Sequence, residues 1–295
     1  MSSRLTAALL AAGIALPTAP AVFEIPVIGP AIVQAYNGLP PELKNRVPES
    51  VRAQLVPPVN APGAAPATRA HVAPGAVQAQ LDALVRDVQA RHGGRATVSV
   101  AGAGAQFTAG DNRPEPAFST MKVPSGIIAL RNNPGTYADV EATIVRSDNP
   151  ASYRLNASVP GPSLNDVIAE AGSRTTNTAA WRMGTLWTTS DQAQFASGLR
   201  CVAGHEPVLE MMGRIIPEQR WGLGRIPGAR FKGGWNFHEE GHLARQFGLI
   251  PGPNGDIAVA ITAHNPRGYQ SSYAMLNDLA DGLSNMTSQL PTSRC

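Results

Sequence analysis

The last third of the chain sets the strictest limit on its fold. Three runs of strand length, Arg230 to Asn236, His242 to Ile250 and Asp256 to His264, precede one helical pattern, Ser271 to Met286. That pattern puts Tyr273, Leu276, Leu279 and Leu283 on one face. The Pro253-Asn254-Gly255 turn makes the second and third runs antiparallel neighbours. Near the other end, Val77, Leu81, Leu84, Val85 and Val88 have the spacing of an amphipathic helix that Gly93-Gly94 ends, and short strands Ala96 to Val100 and Gln106 to Ala109 come next. Helical patterns fill the middle: one starting at Ser119 with Met121, Val123, Ile127, Ile128 and Leu130, then Ala138 to Val145, Leu164 to Ala171 and Asp191 to Leu199. The expected fold class is α/β of the α+β kind. Both ends of the chain build an antiparallel sheet flanked by helices, with a helical subdomain inserted between them.

Ahead of that domain the chain changes character. Arg4 followed by the apolar stretch Thr6 to Leu16 and small residues around Thr18 to Ala21 reads as a signal peptide or N-terminal export segment over 1–35. The stretch is too short for a stable bilayer span. An uncleaved segment of this kind is the one membrane link the sequence offers, and the expected location is secreted or cell envelope. Residues 36–76, rich in Pro and Ala as in Val56-Pro57-Pro58-Val59, read as a linker, leaving 77–295 as the working domain. With 43% hydrophobic residues in 295, the chain can bury a sizeable core. The net charge of +3 comes without any Lys/Arg run, so no nucleic-acid partner is expected. Cys201 and Cys295 lack metal or redox spacing; they are either one disulfide or a buried thiol and a tail residue.

The chemistry-bearing residues begin with Ser119-Thr120-Met121-Lys122 at a helix start. Positions i and i+3 share a helix face, so the amine lies beside the hydroxyl, and the positive helix end favours loss of its proton. Two further segments join it: Ser147-Asp148-Asn149, and Lys232-Gly233-Gly234-Trp235 on an expected strand. Only three lysines, Lys44, Lys122 and Lys232, occur in the whole chain, and two of them fall in these motifs.

In this order the three motifs resemble those of the penicillin-recognising serine enzymes, the serine β-lactamases and DD-peptidases, over residues 77 to 295. The resemblance implies a nucleophile at Ser119 that forms an acyl-enzyme, with Lys122 as its base. It implies that Ser147, assisted by Lys232, passes a proton to the leaving nitrogen and that Lys232 also helps hold a substrate carboxylate. Asn149 would bond the substrate's amide side chain, Gly234 and Trp235 would bind along the strand, and the backbone N–H groups of Ser119 and Trp235 would form an oxyanion hole. Asp148 reads as orienting backbone. The implied partner is a peptidoglycan stem peptide ending in D-Ala-D-Ala, or a β-lactam, with no cofactor.

Three departures shape that expectation. Class A β-lactamases carry a glutamate on the omega loop that activates the deacylating water, whereas Arg174 to Met183 here contains no acid, and Glu170 reads as a surface residue. The short span from Ser119 to Ser147 implies a trimmed helical subdomain. Gly233 replaces the usual hydroxyl residue. The resemblance therefore points to the DD-peptidase or penicillin-binding side. A class A-like β-lactamase with another deacylation route and a catalytically silent envelope binding protein stand as alternatives. A rival motif is His238-Glu239-Glu240-Gly241-His242, which matches the zinc-peptidase pattern. Gly241 within the would-be helix and the adjacent strand signal speak against it, so no metal site is expected.

Overall fold

The chain divides into two units, Met1–Ala70 and His71–Cys295. A computed structural model describes residues 47, 48, 51, 74–159, 161–173, 178–180 and 182–295. The export segment expected over 1–35 lies outside the described residues, as does most of the 36–76 linker. Among the described residues no helix is long and apolar enough to cross a membrane.

The second unit opens with helix α1 (Pro74–His92), which starts slightly ahead of the expected boundary and has proline at its first position, where no N–H is required. Its Val77, Leu81, Val85 and Val88 are buried, as their spacing predicts. Strands β1 (Arg95–Gly102) and β2 (Ala105–Gly110) form a hairpin across Ala103-Gly104, with Gly104 in the positive-φ conformation such a turn needs. Strands β5 (Arg230–His238), β6 (Gly241–Gly252) and β7 (Gly255–Asn265) come from the other end. The five form one antiparallel sheet in the order β2-β1-β7-β6-β5. A separate two-stranded ladder pairs β3 (Glu115–Pro116) with β4 (Leu186–Trp187).

Most residues of β6 and β7 are buried without alternation, because both faces of the sheet are covered. On one face α1 packs with the last helix, α8 (Tyr269–Ser284). On the other lies α6 (Thr189–Gly198), where Thr189 Oγ1 meets Thr262 Oγ1 of β7 at 2.7 Å. The inserted helices are α2 (Lys122–Asn132), α3 (Tyr137–Val145), α4 (Asn149–Ser158), α5 (Gly161–Glu170) and α7 (Glu206–Met212). Of these, α4 carries no periodic apolar signal and buries only Ala151, Ser152 and Leu155, whereas α7, only seven residues long, buries Val208, Leu209, Met211 and Met212. One disulfide joins Cys201 to Cys295 across 94 residues, resolving the alternatives the sequence left open. Closing a loop of that length restricts the unfolded chain by about 4–5 kcal/mol.

The sheet is tied to the inserted region by one charged side chain. Arg245 of β6 is fully buried, and its guanidinium donates to Glu115 O (2.8 Å), Pro116 O (3.2 Å), Trp187 O (2.8 Å) and Gln192 Oε1 (2.9 Å). Gln192 passes the connection on, its Nε2 donating to Thr120 Oγ1 at 2.8 Å. Arg245→Leu would leave these acceptors buried without a donor, and breaking such a network costs about 3–5 kcal/mol. We expect that variant to melt about 10 °C lower. Arg245→Lys should recover little, since one ammonium cannot serve acceptors arranged around a planar fork. Thermal melts of the two variants check this.

Candidate active site

Strand β3 of the short ladder ends three residues before Ser119, and the Arg245 network fixes the path of the chain into the turn beyond it. The spacing predicts an α-helix starting at Ser119. Instead, Phe118–Met121 form a 3-10 turn and the α-helix begins at Lys122. Phe118 has φ of 48°, unfavourable for a bulky residue, so the chain enters the turn under strain. Thr120 Oγ1 donates to Ala117 O at 2.6 Å and closes the turn from below. Ser119 is left half-buried, and its Oγ has no hydrogen-bond partner among the described residues.

Lys122 lies one turn on and is 1% exposed. Its Nζ donates to Ser147 O at 2.7 Å, Asn149 Oδ1 at 2.8 Å and Ser147 Oγ at 3.2 Å. Lys232 of β5 is fully buried, and its Nζ donates to Ser147 Oγ at 3.0 Å and Gly233 O at 2.9 Å. Two ammonium-bearing side chains therefore converge on one hydroxyl. Ser147 reaches it through a backbone with φ of 56°, a second non-glycine residue at positive φ. Burial pushes the Lys122 amine down to about 8, against the opposing pull of Asp148. Burial also drives Lys232 well below the ordinary lysine range, and the neighbouring Lys122 lowers it further. Desolvation, rather than the helix end, is thus the main cause of the shift at Lys122.

Asp148 caps α4, its Oδ1 accepting from Ala151 N at 2.7 Å, which is the orienting role the sequence suggested. Asn149 is exposed with its carbonyl oxygen committed to Lys122, so in this state only its amide nitrogen remains for a substrate. Gly234 sits where β5, an edge of the sheet, passes closest to the turn: an added Cβ would lie 2.8 Å from both Ser119 N and Ala117 O. Trp235 comes next, half-buried, with its indole edge-on to Trp221 at 5.5 Å. At Gly233 an added Cβ would lie 3.1 Å from the Trp221 ring, so an indole covers the position where the resemblance implies a hydroxyl.

Other sequence expectations separate from the site. Glu170 is held by Arg131 at 2.9 and 2.5 Å, and that bond keeps its carboxyl below its usual range, which makes it a weaker base than a free carboxylate. Residues 174–177 and 181 of the omega-loop stretch lie outside the described residues. The zinc pattern is undone by strand geometry. His238 is the last residue of β5 and His242 the second of β6, on opposite faces of the hairpin: His238 Nε2 is 3.2 Å from Glu115 Oε2, whereas His242 Nδ1 meets Ser272 Oγ at 2.6 Å. Sequence reasoning does not identify Arg245 or Gln192. Their one signal is two large polar residues inside apolar runs.

No protein-family model matches the chain, and no curated protein matches it in sequence. Solved structures do. A β-lactamase from Sphaerobacter thermophilus is 22% identical, with a TM-score of 0.57 over 72% of this chain and 98% of that one. A class A β-lactamase representative from Bacteroides cellulosilyticus is 13% identical, with a TM-score of 0.59 over 70% and 98%. A β-lactamase from Xanthomonas campestris is 17% identical, with a TM-score of 0.57 over 71% and 98%. At these identities what is shared is the fold: this chain has the fold of the class A β-lactamase-like serine enzymes.

The geometry sets two measurable outcomes. The Lys122 amine, held near 8, is neutral in about a tenth of the molecules at pH 7, so any step that draws on the neutral amine should speed up with pH to a plateau above about 9. Single-turnover rates across that range check it. Gly234→Ala should push β5 off the Ser119 turn and slow any reaction at the Ser119 hydroxyl at least about tenfold in the same assay, since small displacements of reacting groups are costly.

Proposed function

We propose that this chain is an exported serine acyl-enzyme protein of the penicillin-recognising type, acting on D-Ala-D-Ala-type peptides of peptidoglycan or on β-lactams through Ser119. The observation that carries the reading is the convergence of Lys122 Nζ and Lys232 Nζ on Ser147 Oγ, at 3.2 and 3.0 Å, beside a serine whose hydroxyl is unbonded among the described residues.

In this reading neutral Lys122 takes the proton from Ser119 Oγ as that oxygen attacks the substrate carbonyl carbon. Backbone N–H groups of Ser119 and Trp235 hold the developing oxyanion. The carbon–nitrogen bond then breaks. Ser147 Oγ–H gives its proton to the leaving nitrogen and is resupplied from the adjacent lysines, whose lowered proton affinity makes the transfer inexpensive. Hydrolysis of the acyl-enzyme needs a second base. The Arg174 to Met183 stretch contains no acid, and Glu170 is tied to Arg131, so the ester should be long-lived. Such persistence suits a penicillin-binding protein or slow DD-peptidase better than an efficient β-lactamase.

A fluorescent penicillin read by intact mass spectrometry tests this directly. One label per chain is expected, absent in Ser119→Ala and slow to leave the parent, with little nitrocefin turnover. An unlabelled parent protein would sink the acyl-enzyme reading. Rapid nitrocefin hydrolysis would keep Ser119 as nucleophile but assign the chain to the β-lactamases, with another source for the deacylating base.

A further inference from the structure

Beyond the acyl-transfer site, β5 presents a second surface. Along a strand, side chains alternate between faces, so Lys232, Gly234 and His238 face the inserted helices while Gly233, Trp235 and Phe237 face α8. On that α8 side lies an open cavity of about 350 Å³, lined by Trp235, Asn236, Phe237, His242, Tyr269 and Tyr273. Five of the six linings are rings, and none is a carboxylate, guanidinium or lysine. They are set in a fixed array. Tyr273 stacks on Trp221 at 4.4 Å, His242 meets Phe237 edge-on at 5.7 Å and Tyr273 at 5.4 Å, and Tyr269 stands 6.0 Å from Tyr273. Ser272 Oγ locks the imidazole at Nδ1.

The array is unlike a packed core in two respects. Phe237 is 72% exposed and Tyr269 53%, so large apolar rings stand in water at the rim. The wall also carries unused polar edges. The hydroxyls of Tyr269 and Tyr273 and Nε2 of His242 have no hydrogen-bond partner among the described residues, while the side chain of Asn236 belongs by alternation to the opposite face and its Oδ1 accepts from Phe237 N at 2.9 Å. Burial lowers the proton affinity of His242 and raises the Tyr273 phenol to about 12, leaving both uncharged at neutral pH.

An uncharged ligand with an apolar face and hydroxyls around its rim matches such a wall. A purely apolar group would use the rings and strand the polar edges; an ionic one would find no counter-charge. We infer that this cavity binds a neutral pyranose, with the C–H face of the sugar on the aromatic rings and its hydroxyl or acetamido groups on the phenols and imidazole. The site goes beyond the acyl-transfer reading. A glycan held here lies across a single edge strand from the Ser119 cleft, so a saccharide-bearing substrate would be tethered beside the nucleophile.

Triacetylchitotriose is the probe, titrated by calorimetry and by the fluorescence of Trp221 and Trp235. Saturable binding is expected, weakened at least tenfold in both Tyr269→Ala and Phe237→Ala, whose exposed rings can be removed without opening the core. Ser119→Ala should bind the trisaccharide unchanged, so the site can stand even if acylation by penicillin fails. No saturable binding by the parent up to the solubility of the sugar, or binding that neither substitution alters, overturns the inference.

Discussion

One buried guanidinium does most to hold the working parts in register. Arg245 enters the space between the sheet and the inserted helices and meets four acceptors drawn from β3, β4 and α6. Alone, a buried cation is a liability, and burial here pulls Arg245 down to about 9. Its compensation is that the acceptors belong to segments with few other reasons to stay together. The two-residue strands β3 and β4 are too short to be stable by themselves, yet they deliver the chain directly into the Ser119 turn. Through Gln192 the same network reaches Thr120 and closes the turn.

That rigidity is what permits the strain next to it. Phe118 and Ser147 both adopt positive φ, each costing on the order of 1–3 kcal/mol. The first places a serine hydroxyl free of local partners, and the second turns a hydroxyl toward two lysines. The lysines add a further cost, because two amines share a pocket with no carboxylate among the described residues bonded to either, and Asp148 acts on Lys122 from its capping position. Such a pocket favours loss of a proton, the property a base needs. Stability is given up locally and recovered from the five-stranded sheet and the Cys201–Cys295 bridge.

The sheet was legible because its strands are strongly apolar and its turns carry glycine at the required positions; β5, β6 and β7 extend the sequence-based bounds by one or two residues. Helix α4 was not, since Asn149 to Ser158 is short and polar, though Asp148 and Pro150 form a usable start signal. Within the site, Ser119, Lys122, Ser147 and Lys232 could be found because local spacing encodes them. Arg245 and Gln192 act through partners 53 to 130 residues away in sequence, and no local pattern announces that. The His238 to His242 pattern is ambiguous for a related reason: five residues that fit one turn of helix also fit a tight hairpin, and strand pairing decides for the hairpin that Gly241 and the adjacent strand signal already favour.

The scarcity of lysine gives the folded unit one more property. Both lysines of the His71–Cys295 unit, Lys122 and Lys232, are almost wholly enclosed at the junction of β5 with the inserted helices. A lysine-directed protease or amine reagent therefore meets no accessible target there until that junction parts. Attack at either position would report opening of the cleft itself, separately from fraying elsewhere. The two enclosed amines thus serve as built-in gauges of how often that junction comes apart.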